Sequence, residues 1–179
     1  KNALLTTSMT RVEFDVDDPG FVLSRLARDA ECTLTYEGGV QQTTAGNYVF
    51  VTVEEGSVDA VEDAAADVLG VDEVQRISSQ ETGGVVRLKL SQPFLALELA
   101  DHGAVFRQAT ADPATTTLVI DVPDSIDVRR VTELVHDTFA DVDLRSKQSI
   151  DQAADLGLRS KVFDDLTDRQ LEVLQTAYY

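Results

Sequence analysis

Cysteine is almost absent. Cys32 stands alone among 179 residues, which excludes an internal disulfide and a cysteine-rich metal site. Lysine is scarce too: only Lys1, Lys89, Lys147 and Lys161 occur. No apolar run is long enough to span a membrane, and no segment resembles a signal peptide. A soluble cytoplasmic protein with no membrane partner is expected. The glycine pairs Gly38-Gly39 and Gly83-Gly84 lack a phosphate-loop lysine and a dinucleotide fingerprint, so they read as turns.

What is present is acid. Asp and Glu number 32 against 15 Lys plus Arg, a formal net charge of -17. A field of that sign repels a phosphate backbone, so these residues make a poor nucleic-acid surface. High acidity with little lysine suits a protein adapted to high salt, where screening weakens repulsion between exposed carboxylates. Disorder competes with that reading, but regular apolar alternation argues against it. At 43% hydrophobic, the chain can fill one moderate core or two small ones.

The alternation has an order. Residues 10–16, T-R-V-E-F-D-V, read as a half-buried strand. Asp17-Asp18-Pro19 ends it and opens a helix to about Ala30, with Asp18 as N-cap and Pro19 at the first helical position. A strand over 32–36, a turn at Glu37-Gly38-Gly39, a polar stretch over 40–46 and a strong strand over 48–53 follow. Ser57 caps a second helix whose stripe is Val58, Val61, Ala65, Val68 and Leu69, and Gly70 stops it. A strand over 74–77 then runs into a small polar seam, S-S-Q-E-T-G-G, at 78–84.

Beyond the seam the order recurs. There is a strand over 85–90, a short helix after Pro93 closed by Asp101-His102-Gly103, and strands over 104–109 and 116–122. A helix capped at Asp124-Ser125 follows, with Ile126, Val131, Leu134, Val135 and Phe139 as its stripe, and then a strand over 142–150. Val58, Val61 and Leu69 correspond to Val128, Val131 and Phe139 at an offset of 70, and Pro19 to Pro93 at 74. The expected class is α+β: tandem ferredoxin-like βαββαβ units with antiparallel sheets, plus a C-terminal helix. The expected domains are 1–80, 84–150, and a linker with helix at 151–179. The two units can pack back to back, join edge to edge, or stay separate, and a seam this short favours contact. In the tail, Thr167 and Gln170 form a capping box, and Leu171, Leu174 and Tyr178 share a face. Lys1 and Tyr179 both look like cuts in a longer chain.

No motif carries catalysis. The acidic pairs Asp17-Asp18, Glu54-Glu55 and Asp164-Asp165 read as turns, caps and solvated faces. Cys32, among apolar strand residues, reads as a small core residue. His136 lies beside a helix stripe. His102 is the one weak candidate ligand-binding residue, although a helix C-terminus already explains a histidine there. A metal site needs a third donor that is not in evidence. Arg11, Arg87 and Arg107 alternate with apolar residues, so they either serve the abundant carboxylates or offer cations to an anionic effector.

Three segments resemble a known family. They are D-D-P-G-F-V-L-S-R-L-A-R-D-A-E-C at 17–32, L-A-D-H-G-A-V-F-R-Q-A-T-A-D at 99–112, and L-T-D-R-Q-L-E-V-L-Q-T-A-Y-Y at 166–179. Each is similar to the haloarchaeal bacterio-opsin-activator-like (Bat-like) transcriptional regulators, in the regulatory region before their C-terminal helix-turn-helix. The resemblance implies that 166–179 enters the first helix of the DNA-binding domain and that the recognition helix is missing. It transfers no catalytic, cofactor-binding or metal residue, and no DNA-binding residue within 1–179.

The resulting expectation is a non-catalytic regulatory module, without a cofactor, that couples an upstream sensory domain, a partner or a small-molecule effector to DNA binding. The alternative is a small-molecule sensor with its site between the two units or between subunits, which rests on fold-level analogy. An enzyme is a third reading without motif support. A homodimer would match paired DNA half-sites.

Overall fold

The computed structural model describes residues 8–42 and 46–151. The expected C-terminal helix and the first seven residues lie outside the described residues. Within them the elements run β1 (Ser8–Val16), α1 (Val22–Ala30), β2 (Thr33–Gln42), β3 (Gly46–Glu54), α2 (Val58–Ala65) and β4 (Val71–Gln80). They continue with β5 (Gly83–Leu90), α3 (Leu95–Asp101), β6 (Val105–Ala111), β7 (Thr116–Pro123), α4 (Val128–Thr138) and β8 (Val142–Asp151). The chain therefore holds two tandem βαββαβ units, ferredoxin-like in element order, with antiparallel strand pairing.

Of the three packings open to the sequence, the units adopt the edge-to-edge one. All eight strands form one sheet in the order β4-β5-β3-β2-β6-β7-β1-β8. That order contains an exchange. A ferredoxin-like unit places its first strand between its third and fourth. Here β5 lies between β3 and β4, and β1 lies between β7 and β8. Each unit's central strand is thus supplied by the other unit. Val12 of β1 faces Ile120 and Lys147, and Leu88 of β5 faces Val49 and Val74.

The seam enforces the exchange. Ser78, Ser79 and Gln80 belong to β4, Gly83 and Gly84 belong to β5, and only Glu81 and Thr82 turn between them. A two-residue turn makes its flanking strands neighbours. So β5 must pair with β4 and cannot travel to the second unit. The glycines earn their place by close approach: a Cβ on Gly83 would lie 2.3 Å from the Val53 carbonyl oxygen, and one on Gly84 2.3 Å from that of Ser78.

One face of the sheet is apolar. A buried rung crosses five strands through Val16, Thr116, Ala111, Leu34 and Val53. The helices cover this face. Leu23, Leu26 and Ala27 of α1, Val58 and Val61 of α2, Leu99 of α3 and Val131 and Val135 of α4 join it in one continuous core. Ser24 of α1 reaches Thr116 of β7 through a buried hydroxyl pair at 2.6 Å. Cys32 lies in the same core, as expected.

Several local expectations change. Asp18 does not cap α1; the N-cap is Phe21, without a side-chain bond. Asp18 instead accepts from the Gly20 and Ala140 backbone N–H groups, which fastens the chain after β1 to the end of α4. Ser57 caps α2 as expected, accepting from the Ala60 N–H. The cap of α4 is Asp127, not Asp124-Ser125. Glu37-Gly38-Gly39 is no turn. The strand β2 runs through it with an irregularity between Tyr36 and Gly38, the bulge that glycine within a strand often marks.

Two outcomes test the exchange. Leu88→Ala removes a buried side chain from β5 and is expected to cost about 3 kcal/mol. Amide hydrogen exchange should then quicken first in β3 and β4, with β7 and β8 less affected; the reverse pattern would refute the exchanged topology. Gly84→Ala sets a Cβ against the Ser78 carbonyl and should lower the unfolding free energy, read from denaturant titration, by about 2 kcal/mol.

Candidate functional site

The two halves meet at a short joint. β2 and β6 share only the pairs Leu34↔Ala111 and Thr35↔Thr110. Beyond these both strands are irregular, β2 between Tyr36 and Gly38 and β6 between Phe106 and Gln108. Aromatic rings pack where the pairing ends. Tyr36 stacks on Phe94 at 4.6 Å, and Phe106 meets both edge-on at 5.3 and 5.6 Å. Phe94 in turn touches Phe21 at 5.9 Å, and Phe21 touches Phe139 at 5.0 Å. Such ring pairs add about 1 kcal/mol each beyond their buried area. The junction is held by side chains more than by the ladder.

Above this wedge the helix layer opens into a cleft of about 260 Å³. The starts of α1 and α3 and the chain leaving α2 and α4 converge on it, through Phe21, Phe94, Gly70 and Phe139 among others. Matching backbone bonds flank it. The Asp17 N–H donates to the Asp141 carbonyl at 2.9 Å, and the Ser91 N–H donates to the Gly70 carbonyl at 3.0 Å. The cleft therefore sits on the approximate two-fold relation between the units.

The other sheet face carries charge. Arg11 and Arg107 both reach Asp121. Arg11 donates from Nε to Oδ1 at 2.8 Å and from Nη2 to Oδ2 at 2.9 Å, and Arg107 donates from Nε to Oδ2 at 2.5 Å. Asp121 is 0% exposed. Burial alone would raise its pKa, but the two guanidiniums outweigh it and hold the carboxyl below its ordinary value. Arg87 lies over the Tyr48 ring at 4.6 Å, a cation–π contact. Arg11, Arg87 and Arg107 thus share the face opposite the helices, and each engages a side chain of its own chain. Asp121 was missed in the sequence. Its signal was there: it is the one charge in the strand T-T-L-V-I-D-V.

His102 is the C-cap residue of α3, and its Nδ1–H donates to the Glu98 carbonyl at 2.9 Å. Gly103 follows at φ 80°, and a Cβ there would strike Ile126 at 2.4 Å. His136 sits on α4 with its ring edge-on to Phe14 at 6.5 Å. The two histidines lie on different helices and do not share a site. Burial pushes the Cys32 thiol up to about 11, so it stays protonated at neutral pH and is a poor nucleophile. Asp17 pairs with Arg28 at 3.7 Å, in keeping with a solvated role. Glu54 ends β3, and Asp164-Asp165 lies outside the described residues. Among the described residues no group of three His, Cys, Asp or Glu side chains is placed to hold a metal. No helix among them is long and apolar enough to cross a membrane.

A family model described as "BAT: GAF and HTH_10 associated domain" matches residues 8–156. The chain is 29% identical over 180 residues to the "Bacterioopsin transcriptional activator" of Halobacterium salinarum, covering 99% of this chain and 27% of that protein. It is 30% identical over 181 residues to a "Putative transcriptional regulator" of Haloferax volcanii, covering 99% of this chain and 31% of that protein. The chain thus spans less than a third of each relative. No solved structure matches it.

Replacing Asp121 tests the buried cluster. Asp121→Asn leaves two arginines facing a neutral amide and should cost about 3 kcal/mol at neutral pH. A carboxyl with a depressed pKa contributes stability above its ordinary value and loses it as pH falls through the folded-state value. The difference between the two proteins, followed by urea unfolding, should therefore persist through mild acid and close only below the ordinary carboxylate range.

Proposed function

We propose, for a chain that belongs to the BAT family of GAF- and HTH_10-associated domains, a non-catalytic role coupling a signal to DNA binding in a transcriptional regulator. The family match over residues 8–156, with two relatives named for transcriptional activation or regulation, carries this reading. The family description names GAF and HTH_10 as associated domains, which supports a reading in which signal input and DNA output belong to other parts of a longer protein. The body supports a coupling role physically. The exchanged central strands tie the halves into one sheet, and only two residue pairs join them at β2–β6. Among the described residues no group of three His, Cys, Asp or Glu side chains gathers around His102 or Cys32, and a net charge of -17 opposes DNA binding by these residues themselves. A homodimer would present two such bodies to paired half-sites.

A second reading, that the domain itself senses a small molecule, is favoured by the cleft over the joint. Such a ligand would touch both halves at once, so its binding energy would bear on their relative angle.

Comparing this chain with its full-length protein on promoter DNA tests the coupling role. The full-length protein should shift promoter DNA at concentrations where this chain alone shifts none. Equal sequence-specific affinity in the chain alone would overturn the division of labour.

A further inference from the structure

The sheet face opposite the helices holds a buried ring that the core does not explain. Phe50 of β3 is 8% exposed, yet it stands outside the continuous core. Its register partners are Gly38 on β2 and Arg87 on β5. Gly38 offers no side chain, and a Cβ placed on it would meet no atom within 4 Å. A phenyl ring beside a bare strand keeps one flank open to water unless something lies across it, and a large apolar side chain gains from such a cover. The four described helices all join the core on the other face. The cover of Phe50 is therefore not the helix layer.

The surroundings of Phe50 say what would fit there. Val85, Val105 and Val119 lie half-buried on the same face. Along β5 the face is cationic: Arg87 rests over the Tyr48 ring, Lys89 follows on the same side, and neither pairs with a carboxylate among the described residues. In a chain of charge -17 such a strip calls for an acidic, amphipathic partner. Residues 166–179 have that character. Leu171, Leu174 and Tyr178 share one side at helical spacing, and Asp164, Asp165, Asp168 and Glu172 outnumber Arg169 over 164–172. The reach suffices. β8 lies five strand spacings from β3, about 24 Å, and residues 152–165 span up to about 46 Å when extended. A helix over 166–179 would be about 21 Å long, roughly four strand spacings.

We propose that residues 166–179 of this chain dock as an amphipathic helix across the open sheet face, with Leu171, Leu174 and Tyr178 over Phe50 and the acidic side toward Arg87 and Lys89. This segment resembles the entry into the family's DNA-binding domain, so the sheet becomes the seat of that domain's first helix. The docking stands on the face and the segment alone. Its part in coupling rests on the regulatory reading above.

The test uses the whole chain with Thr176→Cys carrying a nitroxide, since Cys32 is buried. Position 176 falls opposite the stripe of Leu171, Leu174 and Tyr178, so the label spares the contact. Amide signals of β2, β3 and β5 should lose intensity, and those of α1, α2, α3 and α4 should keep most of theirs. Adding Leu171→Asp and Leu174→Asp should restore the strand signals. Neither leucine belongs to the described sheet or helices, so that body should fold as before, and unchanged shifts in the core would show it. Loss centred on the helices, or no localised loss, overturns the docking. A mixture of isotope-labelled chain without nitroxide and unlabelled chain with it should show no loss. Loss there assigns the face to a second copy and overturns the intramolecular seat. Either failure leaves the coupling reading standing, because the promoter comparison decides that separately.

Discussion

Everything in this fold follows from where β5 is allowed to go. Two residues, Glu81 and Thr82, separate it from β4, and a turn that short dictates an antiparallel neighbour. Once β5 sits between β4 and β3, the central slot of the first half is filled, and β1 must find its partners in the second. The open sheet edges then fall to β4 and β8. The helices that follow β1 and β5 have to cross the middle of the sheet to rejoin their own halves. Their N-terminal rings, Phe21 and Phe94, meet there as a result. The aromatic wedge and the cleft above it are consequences of that crossing.

The charge distribution follows the same geometry. A chain with a formal charge of -17 would gain little by burying another carboxylate unassisted. Asp121 is buried because β1 and β6 flank β7 and bring Arg11 and Arg107 to it from both sides. Since β1 is the exchanged strand, this cluster also ties the first half to the second. Its contribution is better described as specificity of pairing than as raw stability, because a buried ion cluster recovers little beyond its own desolvation cost. Exposed pairs such as Arg25 with Asp29 and Arg76 with Glu62 sit in solvent, where salt screens them.

Much of this was legible in the residues. Period-two alternation identified the strands, and the recurrence of strand and helix order identified the two units. The grouping of Arg11, Arg87 and Arg107 anticipated the carboxylate partner of Arg11 and Arg107, but not the Tyr48 ring beneath Arg87. Periodicity reports which face a side chain takes, however, not which strand lies beside it, so the exchange could not be read. The seam was misleading for a related reason. β4 is an edge strand, half wetted on both faces, and its polar residues Ser78, Ser79 and Gln80 looked like loop. Leu69 fitted the helical stripe of α2 by spacing, yet the helix ended before reaching it. Glycine pairs read as turns became a bulged strand at Gly38-Gly39 and a strand start at Gly83-Gly84, since glycine marks close backbone approach as readily as reversal.

The exchanged strands also set a timetable. Of the eight strands β1 leaves the ribosome before the others, but its partners Ile120 and Lys147 belong to β7 and β8. Until then its apolar residues Val12, Phe14 and Val16 have no native seat. The first half, by contrast, can close around β5 once residue 90 is made. Synthesis should therefore pass through a stage with half a sheet complete and its earliest strand waiting, a high-contact-order path that is slow and exposed to wrong pairing. The exchange that joins the two halves in one sheet also makes β1 dependent on β7 and β8, strands made long after it.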